Sequence, residues 1–136
     1  MGKFVSLEQD VFSVFASPEW VAEDIKTFPT NYIAVSSGKE FIRVSVIPSG
    51  NGLNRNSTKG ILIIDIFIPA GEGTRRAFEI ADALDSHLVN KSIKHLTDTA
   101  QTQFGFSSIS PNGVDKDTPS LYRVTYSITF NYFCKE

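Results

Sequence analysis

The clearest pattern in the chain lies near its end. Over residues 120–133, Tyr122, Val124, Tyr126, Ile128, Phe130 and Tyr132 take the even positions, and Arg123, Thr125, Ser127, Thr129 and Asn131 the odd ones. Alternation of period two predicts a long strand with one face in the core and the other toward water. Residues 60–68 predict a second strand of a different kind. Leu62, Ile64, Ile66 and Ile68 line one face, while Ile61, Ile63 and Phe67 line the other with Asp65 among them. A strand apolar on both sides is covered on both sides. The second cover is either a helix or another subunit, which makes Ile63 a candidate interface residue. Residues 40–48 predict a further strand, with Ile42, Val44 and Val46 on one face and Phe41, Arg43, Ser45 and Ile47 on the other. The stretch 49–59 is rich in Gly and Asn and predicts a long loop. Its Asn51, Asn54, Arg55 and Asn56 are suited to contacting a partner, because adaptable polar loops carry recognition. A solvated connector has the same composition.

Helical spacing governs two other stretches. Ala77, Ile80, Ala81, Leu84 and Leu88 form a stripe that predicts a helix over 74–90 packed on the sheet, with Arg75, Arg76, Glu79, Asp82 and Asp85 on its outer surface. Leu7, Val11, Val14 and Phe15 predict a short helix over 7–16, and Ser6-Leu7-Glu8-Gln9 has the form of a capping box. Ser17-Pro18-Glu19 can open a fresh turn that Trp20 pins to the core. Residues 25–37 read as an extended edge segment, residues 99–110 as a loosely alternating strand around Phe104 and Phe106, and Pro111 to Pro119 as a polar turn. The expected architecture is therefore a single α+β domain over residues 1–136. It has an antiparallel or mixed sheet of about four strands, with two main helices packed mainly on one face.

Composition narrows the function more than it narrows the fold. The chain has 136 residues, 41% of them apolar, which is enough to bury one core. A formal net charge of −2, from 13 basic and 15 acidic residues, gives no concentrated basic surface for gripping nucleic acid. The single cysteine, Cys134, excludes an internal disulfide framework. No apolar run reaches the length of about 20 residues that a membrane helix needs, so no membrane partner is expected. With 11 Phe among its aromatics, the chain is better supplied for packing and subunit contact than for ligand chemistry.

The chemical motifs are correspondingly thin. Gly71-Glu72-Gly73, between a strand and a helix, lacks the further glycine of a dinucleotide fingerprint, having Arg76 there, and Glu72 repels phosphate. These glycines read as turn residues. His87 and His95 stand eight apart rather than at a metal-ligand spacing and read as structural. No serine sits in a nucleophile elbow. The expectation is a non-enzyme with no catalytic, cofactor-binding or metal site. Arg75 and Arg76 stand out because two cations in a helix's first turn oppose the macrodipole at a cost of about 0.3–1 kcal/mol each. Either Glu72 and Glu79 pair with them locally, or acidic groups on a partner do.

Taken in order, these features resemble a known family. A helix at the start is followed by Trp20, then Pro29-Thr30-Asn31-Tyr32, then a strand ending Val46-Ile47-Pro48. Gly60 opens the Ile-rich strand, which runs into Ile68-Pro69-Ala70-Gly71-Glu72-Gly73. A helix with Ile80-Ala81-Asp82 and the alternating strand from Tyr122 to Phe133 complete the series. The series is similar to the tail terminator and minor tail proteins of siphophages, whose tails are long and non-contractile. The resemblance implies a structural virion protein that forms a homo-oligomeric ring, usually a hexamer, on the head-proximal end of the tail. Its partners would be its own copies, the major tail tube protein and the head-completion protein, with DNA only passing through the channel. It would be made in the host cytoplasm, and it has no catalytic residues to carry over. The alternatives are a related neck or tail-completion protein, or a small-molecule-binding α+β domain using the sheet's open face.

Overall fold

The computed structural model describes residues 2–30, 40–51, 56–94, 100–115 and 120–134. Two helices open the chain: α1 (Lys3–Phe15) and the single turn α2 (Pro18–Val21). The strands β1 (Thr27–Pro29), β2 (Phe41–Asn51) and β3 (Thr58–Pro69) lead to α3 (Arg75–Leu88). The strands β4 (Ser92–Lys94), β5 (Ala100–Val114) and β6 (Leu121–Cys134) follow. All six strands join one sheet in the order β1-β2-β3-β6-β5-β4. Only β1 and β2 run parallel. The sheet curls into a half-barrel in which strand outweighs helix.

This corrects the expected α+β domain of about four strands and two main helices: the described residues form six strands and three helices. Beyond the expected four, β1 falls within the extended edge segment expected over 25–37, and β4 is new, its three residues too few to carry a readable period. The polar turn expected from Pro111 onward is also partly strand, since β5 continues to Val114 across a register shift between Pro111 and Gly113. An outer strand tolerates proline and bulges that an inner one does not. The loop expected over 49–59 shrinks for a similar reason, because β2 runs to Asn51 and β3 starts at Thr58. At the chain's start α1 begins earlier than expected. Gly2 is its N-cap, and Ser6 is buried one turn inside, its backbone N–H donating to the Gly2 carbonyl at 3.1 Å. The expected capping box is therefore not formed by Ser6. Ser17 does cap α2, its hydroxyl accepting from the Trp20 N–H at 3.3 Å, with Pro18 in the first helical position.

The core follows from strand register. Leu62, Ile64 and Ile66 of β3 face Ile128, Tyr126 and Val124 of β6 and Val46, Val44 and Ile42 of β2. Onto this even-numbered face α3 lays Ala77, Ile80, Ala81, Leu84 and Leu88, and α1 lays Leu7, Val11 and Phe15. Each fully buried Ile or Leu there contributes about 1.5–3 kcal/mol. Two polar ties fix the helices in place. The Thr102 hydroxyl donates to the Asp10 carboxylate at 3.0 Å, joining α1 to β5. Asp85 of α3 accepts from Tyr126 at 2.7 Å and Ser107 at 2.6 Å. Burial, reinforced by the Asp85 bond, pushes the Tyr126 phenol well above its ordinary range. Among the described residues no helix is long and apolar enough to cross a membrane.

Candidate functional site

The odd-numbered face of the sheet is built differently. Every helix residue of the core belongs to the even face, whereas the small cluster on the odd face (Phe41, Phe67 and Leu121, with Phe28 against it) comes from strands alone. Phe41 stacks on Phe67 at 4.7 Å and meets Phe28 edge-on at 5.7 Å, and the Arg43 guanidinium lies 5.4 Å from the Phe67 ring centre. A cation over a ring face is held by the ring's quadrupole. Further along, register sets Ser45, Ile63, Ser127 and Ser108 in one row, and Ile47, Ile61 and Thr129 in the next. Ile61 and Ile63 are half-buried, and Ile47 is 39% exposed. Hydroxyls fill the rest: Ser108 and Ser127 share a hydrogen bond at 2.8 Å, and Thr125 donates to Asp65 at 3.1 Å while accepting from Asn112.

Gly60 shows how tightly this part of the sheet is fitted. A Cβ there would stand 2.1 Å from the Ile47 carbonyl oxygen, beside the register shift between Pro48 and Gly50. Only glycine admits so close a backbone approach.

A second feature is a cleft of about 440 Å³ where α3 begins. It is lined by Asp24, Lys26, Glu40, Ile68, Pro69, Glu72, Gly73 and Arg76. Gly71 and Gly73 both have positive φ, at 88° and 81°, as the turn from β3 into α3 requires. Arg76 donates to the Glu40 carboxylate at 2.6 Å across the cleft wall. That bond is the main reason its guanidinium is held above its ordinary range.

The candidate interface residues are therefore scattered. Ile63 is on the odd face, and Arg75 and Arg76 are on α3, across the sheet from it. Arg75 is exposed. Arg76 pairs neither with Glu72 nor with Glu79 as local spacing suggested, but with Glu40, thirty-six residues away. Asn51 ends β2 opposite Thr58, and Asn56 is half-buried in the turn before β3. Asn54, Arg55 and His95 lie outside the described residues. His87 sits with its ring edge-on to Trp20 at 5.3 Å and its Nε2 3.6 Å from Glu23. Among the described residues no group of His, Cys, Asp and Glu has a metal-binding arrangement. Sequence reasoning missed β4 at one end of the sheet and the shortness of β1 at the other: β1 covers only Ile42–Val44 of β2, and β4 covers only Gln101–Gln103 of β5.

Several solved structures are similar to this chain, among them one with a TM-score of 0.66 over 97% of this chain and 94% of its own length, at 16% sequence identity. Identity that low speaks for architecture alone. No protein-family model matches the sequence, and no curated protein matches it.

Proposed function

We propose that this chain is a structural protein that assembles with its own copies into a ring, of the kind tail terminators form at the head-proximal end of a siphophage tail tube. The observation that carries the reading is one-sided packing. All helix core residues lie on the even face, while the odd face keeps Ile47, Ile61 and Ile63 in partial contact with water. Monomers seldom leave aliphatic rows on a sheet face unless something docks there. The sequence resemblance supplies the setting: a ring, usually hexameric, that stops tube growth and presents its far side to the head-completion protein. A net charge of −2 suits a channel through which DNA passes without being held. Electron microscopy of the purified protein, alone and with tail tubes, tests the reading. Rings and capped tubes are expected. A protein that stays monomeric in solution and leaves tubes uncapped would falsify it.

A second reading has one observation in its favour, the 440 Å³ cleft at the start of α3, which falls in the size range of small-ligand sites. It ranks second because five of its eight lining residues are charged, with both signs present, and Arg76 and Glu40 already satisfy each other. Retention of a metabolite by a monomeric protein would reverse the ranking.

A further inference from the structure

A sheet curled halfway to a barrel keeps two edges, and edges exposed to water are normally blunted by charge, most often lysine. Here neither is. Residues 106–114 of β5 and 45–51 of β2 extend past the short strands β4 and β1 and have no partner strand among the described residues. Neither stretch contains an Asp, Glu, Lys or Arg; residues 100–114 as a whole contain none. The β5 edge instead exposes Phe106 at 75%, Val114 at 55% and Ile109 at 38%, and the β2 edge exposes Ile47.

The backbone phase shows what these edges offer. Phe104 donates outward to Lys91, and the register shift between Phe104 and Ser107 moves the outward phase to odd residues. Ser107 and Ile109 therefore turn their N–H and C=O groups outward, and Pro111, which has no N–H, ends the run. On β2, Ile42 donates outward to Lys26 and the Val44 carbonyl accepts from Thr30, so Val46 is the next outward residue before Pro48. The β5 edge thus presents two outward residues and the β2 edge one before a proline ends each run, which keeps any added pairing short and discourages indefinite strand addition.

We infer that the outer edge of β5 is the docking site for a second copy of this chain, which adds the outer edge of its β2 and continues the sheet. Because the two edges differ and lie at opposite ends of one curled sheet, the contact is head-to-tail, and repetition about an axis closes a ring. This inference deepens the ring reading by naming the surface that closes it.

Cross-linking decides it. In a Cys134→Ser background, Ile47→Cys and Ser110→Cys place thiols on the odd face of the two edges. Mixing the two proteins with a short bismaleimide is expected to give cross-linked dimers, and neither protein alone should. Dimers from Ser110→Cys alone would mean two-fold pairing of β5 with itself and overturn the β2–β5 assignment. Ser110→Lys, at an exposed position, and Ile109→Pro, which removes an outward N–H, are each expected to weaken assembly by about tenfold or more. The lysine variant should keep the monomer's circular dichroism even if the proline variant does not. If wild type assembles and the mixture fails to cross-link, or Ser110→Lys assembles normally, the edge inference fails while the ring reading stands. If wild type remains monomeric at every concentration, the edge inference fails, and tube capping alone judges the ring.

Discussion

The two faces of the central strand are made from nearly the same residue type and end in different environments. Leu62, Ile64 and Ile66 are fully buried under the chain's helices, whereas Ile61 and Ile63, one residue out of phase, are only half-buried. Isoleucine content does not distinguish the faces; what each face meets does. The helices have a single apolar stripe each, so they cover one face. The difference separates what the chain buries by itself from what it leaves in contact with water. The even face is completed within the chain, and the odd face and the sheet edges are where more apolar surface remains to be buried.

The sharpest way to break that comparison is to place the same charge on either side of β3. Ile64→Asp puts a carboxylate at a site with no solvent exposure, and an unpaired buried charge costs several kcal/mol, roughly 3 or more. That is a large share of the ~5–15 kcal/mol that holds a domain folded. The variant should be unfolded or aggregate on expression. Ile63→Asp, on the half-buried face, should yield a folded monomer with about 1 kcal/mol lost and with ring formation abolished. Circular dichroism and light scattering on the pair read both effects. Equal loss of fold in the two variants would mean the odd face is as closed as the even one.

How much of this was legible in the sequence depends on the length and regularity of each signal. The stripe of α3 is read correctly because five apolar residues recur at helical spacing, and all five are buried. The faces of β6 are legible from strict alternation, and β3 is legible as a strand from its nearly unbroken apolar run. Strand β1 lies within the extended edge segment expected over 25–37, whereas β4 is not legible, because three residues cannot show a period and pairing at a distance is what makes it a strand. The Pro111-Asn112-Gly113 run carries every local mark of a turn and is nonetheless β5, since hydrogen bonds from β6 override local preference at an outer strand. The candidate site fared worse for the same reason. The arginine pair was conspicuous, but Glu40 could not be chosen as a partner from spacing along a helix. The edge stretches with no partner strand among the described residues follow from which strands fall short, and no single segment records that.

A milder perturbation sharpens the inner side of the comparison. Tyr126→Phe keeps the ring in the core and removes the phenol that donates to Asp85, with Ser107 left as donor. A loss of about 1 kcal/mol is expected at neutral pH. The raised phenol adds a pH signature. Its folded-state value lies above the ordinary 10.0, so the folded state holds the proton more tightly than the unfolded chain. The stabilisation is complete below about pH 10 and is lost as pH rises beyond it. Denaturant melts from pH 8 to 11.5 should show wild type losing stability faster than Tyr126→Phe over the upper part of that range. Parallel curves would place the hydroxyl in a wetter setting than its bond to Asp85 implies.

The smallest expected effect belongs to Arg76 and Glu40, and it tests whether the cleft contributes to the fold, to assembly or to neither. Their side chains are 43% and 33% exposed, so water and salt screen the pair, and pairs of this kind contribute about 0.2–1 kcal/mol. Against that stands a geometric argument for more: the bond ties the first turn of α3 to the residue preceding β2, thirty-six positions away. A double-mutant cycle with Arg76→Gln and Glu40→Gln isolates the coupling, which should be positive, below about 1 kcal/mol, and smaller at high salt. Arg75, exposed beside it, serves as the control. If Arg75→Gln and Arg76→Gln leave assembly unchanged across the salt range, the start of α3 is a structural corner and assembly belongs to the odd face and edges. If Arg76→Gln is fully stable yet assembly is lost and wild-type assembly weakens with salt, Glu40 is a resting partner that an acidic group on a neighbouring copy displaces. The present pairing favours the first outcome, because an arginine already satisfied at 2.6 Å gains little by exchanging one carboxylate for another.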